Sequence, residues 1–254
     1  MLVFIIPLKS PQVSKSWENV CSIFERTLRS VCNQTSSNFK VIVVCNQKPD
    51  ITYNHPKVIY LVDTFPIPKP EVGFSKELDR TRKMLAGIIY AKKLEGTTHI
   101  MLVDADDCVS NRLADYVETH PNEPGWLVTS GYWYRESSNF VKVMRKAFYE
   151  YCGTSNILRA DIYDVDTYNE ENVNKLFKYY RHKIIKKNLE NKRVHLAPLP
   201  FKGVVYIVHH GENTYYAVGN KHHKISLKSR FLRWKTLLDN RFLTPKIKEE
   251  FSLI

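Results

Sequence analysis

Apolar and polar positions in the first hundred residues alternate between two kinds of segment. Short, nearly unbroken apolar runs at residues 2–8 (LVFIIPL), 39–45 (FKVIVVC), 57–62 and 100–103 have the length and β-branched content of strands buried on both faces. Between the first two, residues 17–32 place Val20, Phe24, Thr27, Leu28 and Val31 on one face at helical spacing, with Ser16 as N-cap. Residues 76–94 spread Leu78, Arg82, Leu85, Ile89 and Leu94 along one side before Gly96 stops the helix. Strand, helix and strand in this order predict a parallel sheet with right-handed crossovers. Pro7 falls at the end of the first strand, where a missing ladder donor costs little. Ligands of such sheets bind beyond the carboxyl ends of the strands, so Asn46, Asp63 and the acids after residue 103 are expected around one crevice.

The pattern changes after residue 110. A helix over residues 111–120, capped by Ser110, precedes the breaker PNEPG, and residues 126–134 (WLVTSGYWY) and 140–144 predict an antiparallel hairpin across 136–139. Tyr132, Trp133 and Tyr134 suit stacking on a sugar or filling a core, and core filling is expected for at least two of them. A polar stretch to residue 172 leads into a basic helix over 173–189, and residues 204–208 (VVYIV) form a late strand that runs into His209, His210, Gly211, Glu212 and Asn213. Beyond Gly219, Lys221, Lys224, Lys228, Arg230, Arg233, Lys235 and Arg241 interleave with Phe231, Leu232, Trp234, Leu237 and Leu238. This is the pattern of a basic amphipathic helix that rests on a membrane surface or packs its apolar face on the sheet domain.

Composition narrows the classes of partner. The 254 residues carry a formal net charge of +12, which favours anionic partners: nucleotide phosphates, nucleic acid or an acidic membrane face. Nucleic-acid motifs are lacking and the basic excess lies mainly in the second half, so no nucleic acid is expected. The five cysteines are scattered without CxxC spacing, which predicts reduced core thiols in a cytoplasmic protein. No apolar run reaches the roughly 18 residues of a membrane span, and the first eight residues are too short for a signal peptide.

The densest chemistry is in residues 99–110, HIMLVDADDCVS, where an apolar strand ends in Asp104, Asp106 and Asp107. Carboxylates this close repel unless a cation or several donors neutralise them, and alternate residues at a strand end can face one ion. A divalent metal holding a phosphorylated ligand is one reading, and a solvated acidic turn ahead of the next helix is the other.

Taken together, the first strand with Pro7, helix 17–32, the strand ending at Cys45 and Asn46, the helix with Arg82, Lys83 and Gly87, and the strand ending in DADD resemble the nucleotide-sugar glycosyltransferases of family 2. The Cys152, Gly153, Thr154, Ser155 turn and the late His-Gly-Glu-Asn add to that resemblance, which covers most of residues 2–213. It implies an α/β fold of GT-A type, with a Rossmann-like, mostly parallel central sheet flanked by helices, a smaller acceptor-side region and a basic C-terminal helical extension. The implied organisation is a glycosyltransferase domain at 1–219, with a nucleotide-binding half at 1–120 and an acceptor-binding half at 121–219, followed by the extension at 220–254.

The implied activity is metal-dependent transfer of a sugar from a nucleoside-diphosphate sugar to a glycan or glycolipid acceptor, with inversion favoured, in polysaccharide or envelope glycan synthesis. Mn²⁺ or Mg²⁺ would stabilise the departing diphosphate. The resemblance assigns Asp106 and Asp104 to the metal and ribose, with His210 near the metal. It puts Pro7, Asn46, Asp63, Asp79, Arg82 and Lys83 around the nucleotide, and Asp107, Gly153, Thr154 and Ser155 on the acceptor side. Cys45 and Asn46 stand where the family often has an acidic pair, and Lys83 replaces an asparagine. No Glu-Asp pair follows Cys152; Asp161, Asp164, Asp166, Glu170 and Glu171 occupy the region of the expected base, with Asp164, Asp166 and Glu170 as the candidates. The alternatives are a phosphatase with an aspartyl nucleophile, which wants its DxD at the first strand, and a non-catalytic basic nucleic-acid or membrane-binding module. Peripheral contact at the inner membrane face would suit a lipid-linked acceptor.

Overall fold

The computed structural model describes residues 1–69, 74–212 and 239–253. The fold is mixed α/β, built on a seven-stranded sheet that is mostly parallel and flanked by helices. Its strands are β1 (Leu2–Pro7), β2 (Phe39–Cys45), β3 (Val58–Val62), β4 (His99–Leu102), β6 (Gly125–Leu127), β9 (Asn156–Arg159) and β10 (Ala197–Pro198), in the order β10-β6-β9-β4-β1-β2-β3. β1 runs parallel to β2 and β4, and β9 is antiparallel to β4 and β6.

Strict alternation along β1 builds two cores. Leu2, Phe4 and Ile6 join Phe24 and Leu28 of helix α1 (Trp17–Cys32) on one face, while Val3 and Ile5 join Met84, Leu85 and Ile88 of helix α2 (Ser75–Lys93) on the other. Each such buried aliphatic or aromatic side chain contributes about 1.5–3 kcal/mol relative to exposure. Because α1 leaves β1 toward one face and α2 reaches β4 on the other, a crevice opens where the strand order reverses, at the carboxyl ends of β1 and β4.

A second sheet has the order β12-β8-β7-β11-β5, from β5 (Cys108–Val109), β7 (Gly131–Arg135), β8 (Phe140–Met144), β11 (Val204–Val208) and β12 (Asn240–Phe242). The apolar stretch 126–134 is thus two strands, with β6 in the first sheet and β7 in the second. β7 and β8 form the expected hairpin, and alternation sends Tyr132 toward Phe251 and Trp133 toward Tyr206.

Other expectations shift in detail. Helix α3 spans Leu113–Thr119 and follows Arg112 without a side-chain cap; the Ser110 hydroxyl, two residues earlier, accepts the Arg112 amide (3.3 Å) and donates to Glu250 (2.7 Å). The buried face of α2 carries Asp79, Thr81, Lys83, Met84, Leu85, Gly87, Ile88 and Ala91, so Arg82 stands at its edge. The helix expected over 173–189 is two, α4 (Glu170–Tyr179) and α5 (Ile185–Asn191), with residues 180–184 bending between them. Asn213 and the basic amphipathic segment through residue 238 lie outside the described residues. From residue 239 the chain adds β12 antiparallel to β8 and a helix at Pro245–Phe251, started by Thr244 and Pro245, that buries Phe251 and, just beyond it, Leu253.

Candidate functional site

The DADD turn links the two sheets. Asp104 leaves β4, and two residues after Asp106 the chain enters β5, which pairs antiparallel with β11 through Cys108↔Val205 and Val109↔Val204. Continuing that register backward carries Asp106 toward the far end of β11, where His210 follows Val208. The result is a contact between residues 104 apart: His210 Nε2 is 3.1 Å from Asp106 Oδ2. The His210 side chain is 2 % exposed, and its backbone carbonyl accepts a hydrogen bond from Asn19 of α1 (3.0 Å). Its Nδ1 is buried with no hydrogen-bond partner.

Asp104 is held from the other side. Arg80 of α2 donates Nε to its Oδ1 at 2.7 Å, and an Nη2 contact of 2.5 Å completes the ion pair. Gly153 lies against this pair so closely that a Cβ there would be 2.3 Å from Asp104 Oδ2 and 2.8 Å from Arg80 Nη2. Only glycine lets the Cys152–Ser155 turn approach so near.

Asp107 points inward and is fully buried. The Thr154 hydroxyl donates to its Oδ2 at 2.6 Å, the Cys152 thiol donates to the same oxygen at 3.1 Å, and the Asp104 amide donates to Thr154 Oγ1 at 2.8 Å. Burial pushes the Asp107 carboxyl well above the usual range, reinforced by the charges of Asp106 and Asp104. Asp107 and Thr154 therefore tie the acidic turn to the glycine turn. Ser155 is also buried, with its hydroxyl unpartnered.

Asp104, Asp106, Gly153 and His210 line a cavity of about 410 Å³, with Pro7 from β1 and Asp79 and Lys83 from α2 on its wall. This volume is in the range of small-ligand sites. The Lys83 side chain is fully buried and donates to Asp79 Oδ2 (2.9 Å) beside the Phe65 ring. Burial outweighs that lysine and raises the Asp79 carboxyl. Lys9, Lys15, Lys76, Arg80 and Arg181 add positive charge to the lining. Lys9 pairs with Glu212, whose carboxylate also accepts the Ser16 amide at 3.1 Å, joining the end of β11 to the start of α1.

Several expected site residues lie elsewhere. Asn46 donates to the Phe65 carbonyl (2.8 Å), Asp63 is exposed and accepts its neighbour Thr64's amide (2.7 Å), and neither lines the cavity. Arg82 makes a two-toothed pair with Glu170 at 3.0 and 3.1 Å. Asp164 pairs with Lys175 (2.6 Å) and Asp166 with Lys92. Hydrogen bonding to Arg82 and Lys175 holds the carboxyls of Glu170 and Asp164 below the usual range, which makes each a weaker proton acceptor. None of the three lines the cavity.

Among the described residues, no group of three or more His, Cys, Asp or Glu side chains is disposed to hold a metal ion. Asp106 and His210 are the residues that could hold such an ion, since the contact puts one oxygen and one nitrogen 3.1 Å apart. Asp104 stands outside that pair, on Arg80. Arg80, Lys15, Arg181 and His182 are cavity residues that the sequence pattern did not mark. Arg80 was hidden beside the family-like Arg82, and His182 lay inside a segment read as continuous helix.

Fold and cavity together define an α/β protein with a charged pocket at the topological switch point. No family model matches the chain, and no curated protein matches it. Among solved structures, it is similar to Francisella tularensis 2-C-methyl-D-erythritol 4-phosphate cytidylyltransferase (IspD) at 15% identity and TM-score 0.38, covering 92% of this chain and 99% of that one. It is also similar to residues 1–349 of S. aureus TarS, at 15% identity and TM-score 0.43, covering 81% of this chain and 60% of that one. A 4-diphosphocytidyl-2C-methyl-D-erythritol synthase matches at 13% identity and TM-score 0.36, covering 93% and 98% of the two chains. At these identities and TM-scores the likenesses are distant, and the functional reading rests on the residues.

Proposed function

We propose that this chain is a nucleotide-sugar glycosyltransferase of the family 2 kind, binding a nucleoside-diphosphate sugar in the switch-point cavity. The observation that carries the reading is the meeting of Asp104–Arg80 and Asp106–His210 at the carboxyl ends of β1 and β4, in a pocket lined by lysines and arginines. Positive groups beside a strand end suit a diphosphate, which gains negative charge as the glycosidic bond breaks. Arg80 and Lys15 would neutralise part of that charge, with Asp104 orienting the Arg80 guanidinium for it. Asp106 and His210 would hold Mn²⁺ or Mg²⁺, which when bound stabilises the leaving diphosphate. Gly153 and Tyr151, which line the same cavity, would face the glycan or glycolipid hydroxyl. Residues 1–120 would supply most of the donor side and residues 121–212 most of the acceptor side, and inversion follows if that hydroxyl attacks opposite the diphosphate.

Thermal denaturation with a panel of nucleoside diphosphates, each with and without Mn²⁺, tests the reading. A ligand at one hundred times its Kd raises stability by about 2.7 kcal/mol. The expected result is a clear rise in Tm with one base, dependent on Mn²⁺ and abolished in Asp106→Ala. No rise with any nucleotide, together with salt-sensitive binding to DNA, would sink it in favour of a basic binding module.

A further inference from the structure

We propose that His182 is the general base that deprotonates the acceptor hydroxyl, an inference that rests on the glycosyltransferase reading above. His182 lies in the bend between α4 and α5 and lines the same cavity as Asp104, Asp106, Tyr151 and Gly153. Its Nδ1 is 2.5 Å from the backbone carbonyl of Tyr149, in the short turn Phe148–Glu150 just ahead of the Gly153 segment. A carbonyl can only accept, so Nδ1 carries the proton and the neutral ring keeps its lone pair on Nε2. That bond also ties the ring to the turn that leads into the Gly153 segment.

The surrounding charges favour the neutral ring. Burial is the main cause that lowers the His182 pKa, with Arg80 and Lys183 acting in the same direction, while the Tyr149 carbonyl and Asp104 oppose it. The ring is therefore uncharged at neutral pH and able to accept a proton. The carboxylates Asp164, Asp166 and Glu170 are ion-paired outside the cavity, so His182 takes the role that sequence position alone would give them.

In the reaction, Nε2 removes the hydroxyl proton of the acceptor as its oxygen forms a bond to the anomeric carbon. The bond from that carbon to the diphosphate oxygen breaks, and its electron pair leaves on the diphosphate. The imidazolium then returns its proton to solvent. Water serves as the simplest acceptor and passes through the same steps.

The test uses the full chain with UDP-glucose, UDP-N-acetylglucosamine and GDP-mannose in Mn²⁺ buffer, measuring nucleoside diphosphate released to water between pH 5 and 9. In His182→Gln the release should fall about a hundredfold with the affinity for the diphosphate unchanged. The wild-type profile should have an acidic limb centred below the ordinary histidine value, and the variant should lose it. Nitrogen-15 spectra of labelled histidine should show His182 as the Nδ1–H tautomer. Wild-type release with the same acidic limb in His182→Gln, or an Nε2–H tautomer, overturns the assignment of the base while leaving the donor site standing. Failure of the wild-type chain to bind or cleave any of the three sugar nucleotides overturns the donor reading itself, and the base with it.

Discussion

At the scale of residues, the three aspartates of one short turn meet three environments. Asp104 faces Arg80, Asp106 faces His210, and Asp107 turns inward to Thr154 and Cys152. Asp107 is held well above the usual carboxylate pKa, mainly by burial, so in the folded protein it keeps its proton to a higher pH than an unfolded aspartate does. An unfolded aspartate ionises near pH 3.9, so the stability Asp107 lends the fold is complete below that pH. It is lost as pH rises, until the folded group ionises too. Asp107→Asn removes this loss. In metal-free buffer the variant should be about 1 kcal/mol less stable than wild type near pH 4, through one weakened hydrogen bond. The gap should close, by up to about 1.4 kcal/mol per pH unit, as pH rises. Urea titrations across pH 4–7 measure it, and a constant gap would show that Asp107 is ionised in the folded protein. The acidic cluster was legible in the sequence, but the split among its members was not, since i and i+1 at a strand end differ only in which way the chain turns.

At the scale of elements, α2 sets both the core and the pocket. A Cβ on Gly87 would lie 2.5 Å from Ile5 Cγ2 and 3.2 Å from Val44 Cγ2, so the helix packs closely over β1 and β2. That close approach carries Asp79, Arg80 and Lys83 to the carboxyl ends of the strands. Gly87→Val should destabilise by about 3 kcal/mol through overpacking. Its calorimetric Tm should drop by several degrees, whereas an unchanged Tm would mean the helix can shift away at no cost. Helix α1 matches its expected bounds, Trp17–Cys32, because its cap and periodicity are local. The breaks at 128–130 and 180–184 were not visible, because their causes are distant. β6 pairs with β9 and β7 with β11, while the Tyr180 hydroxyl donates to the Ile162 carbonyl (2.8 Å) and its ring stacks on Tyr163.

At the scale of the whole molecule, all five cysteines are buried and unbridged, as expected of core thiols. Burial raises Cys32 and Cys108 to about 12 and Cys45 to about 11. Since the thiolate is the reactive form, the native protein at pH 8 should react with a disulfide reagent about a hundredfold more slowly than the unfolded chain, which should release all five equivalents quickly. One fast equivalent in the native state would place a thiol at the surface. The sequence by itself determined the strand and helix order of the first hundred residues, the switch-point crevice and the acid-tipped fourth strand, since these follow from local periodicity and chain connectivity. Tertiary structure alone decided that Arg80 rather than Arg82 reaches Asp104, that His210 meets Asp106 across 104 residues, and that His182 lines the cavity. Those contacts depend on helix rotation, on the β5–β11 register and on a helix break, each set by partners far away in the chain.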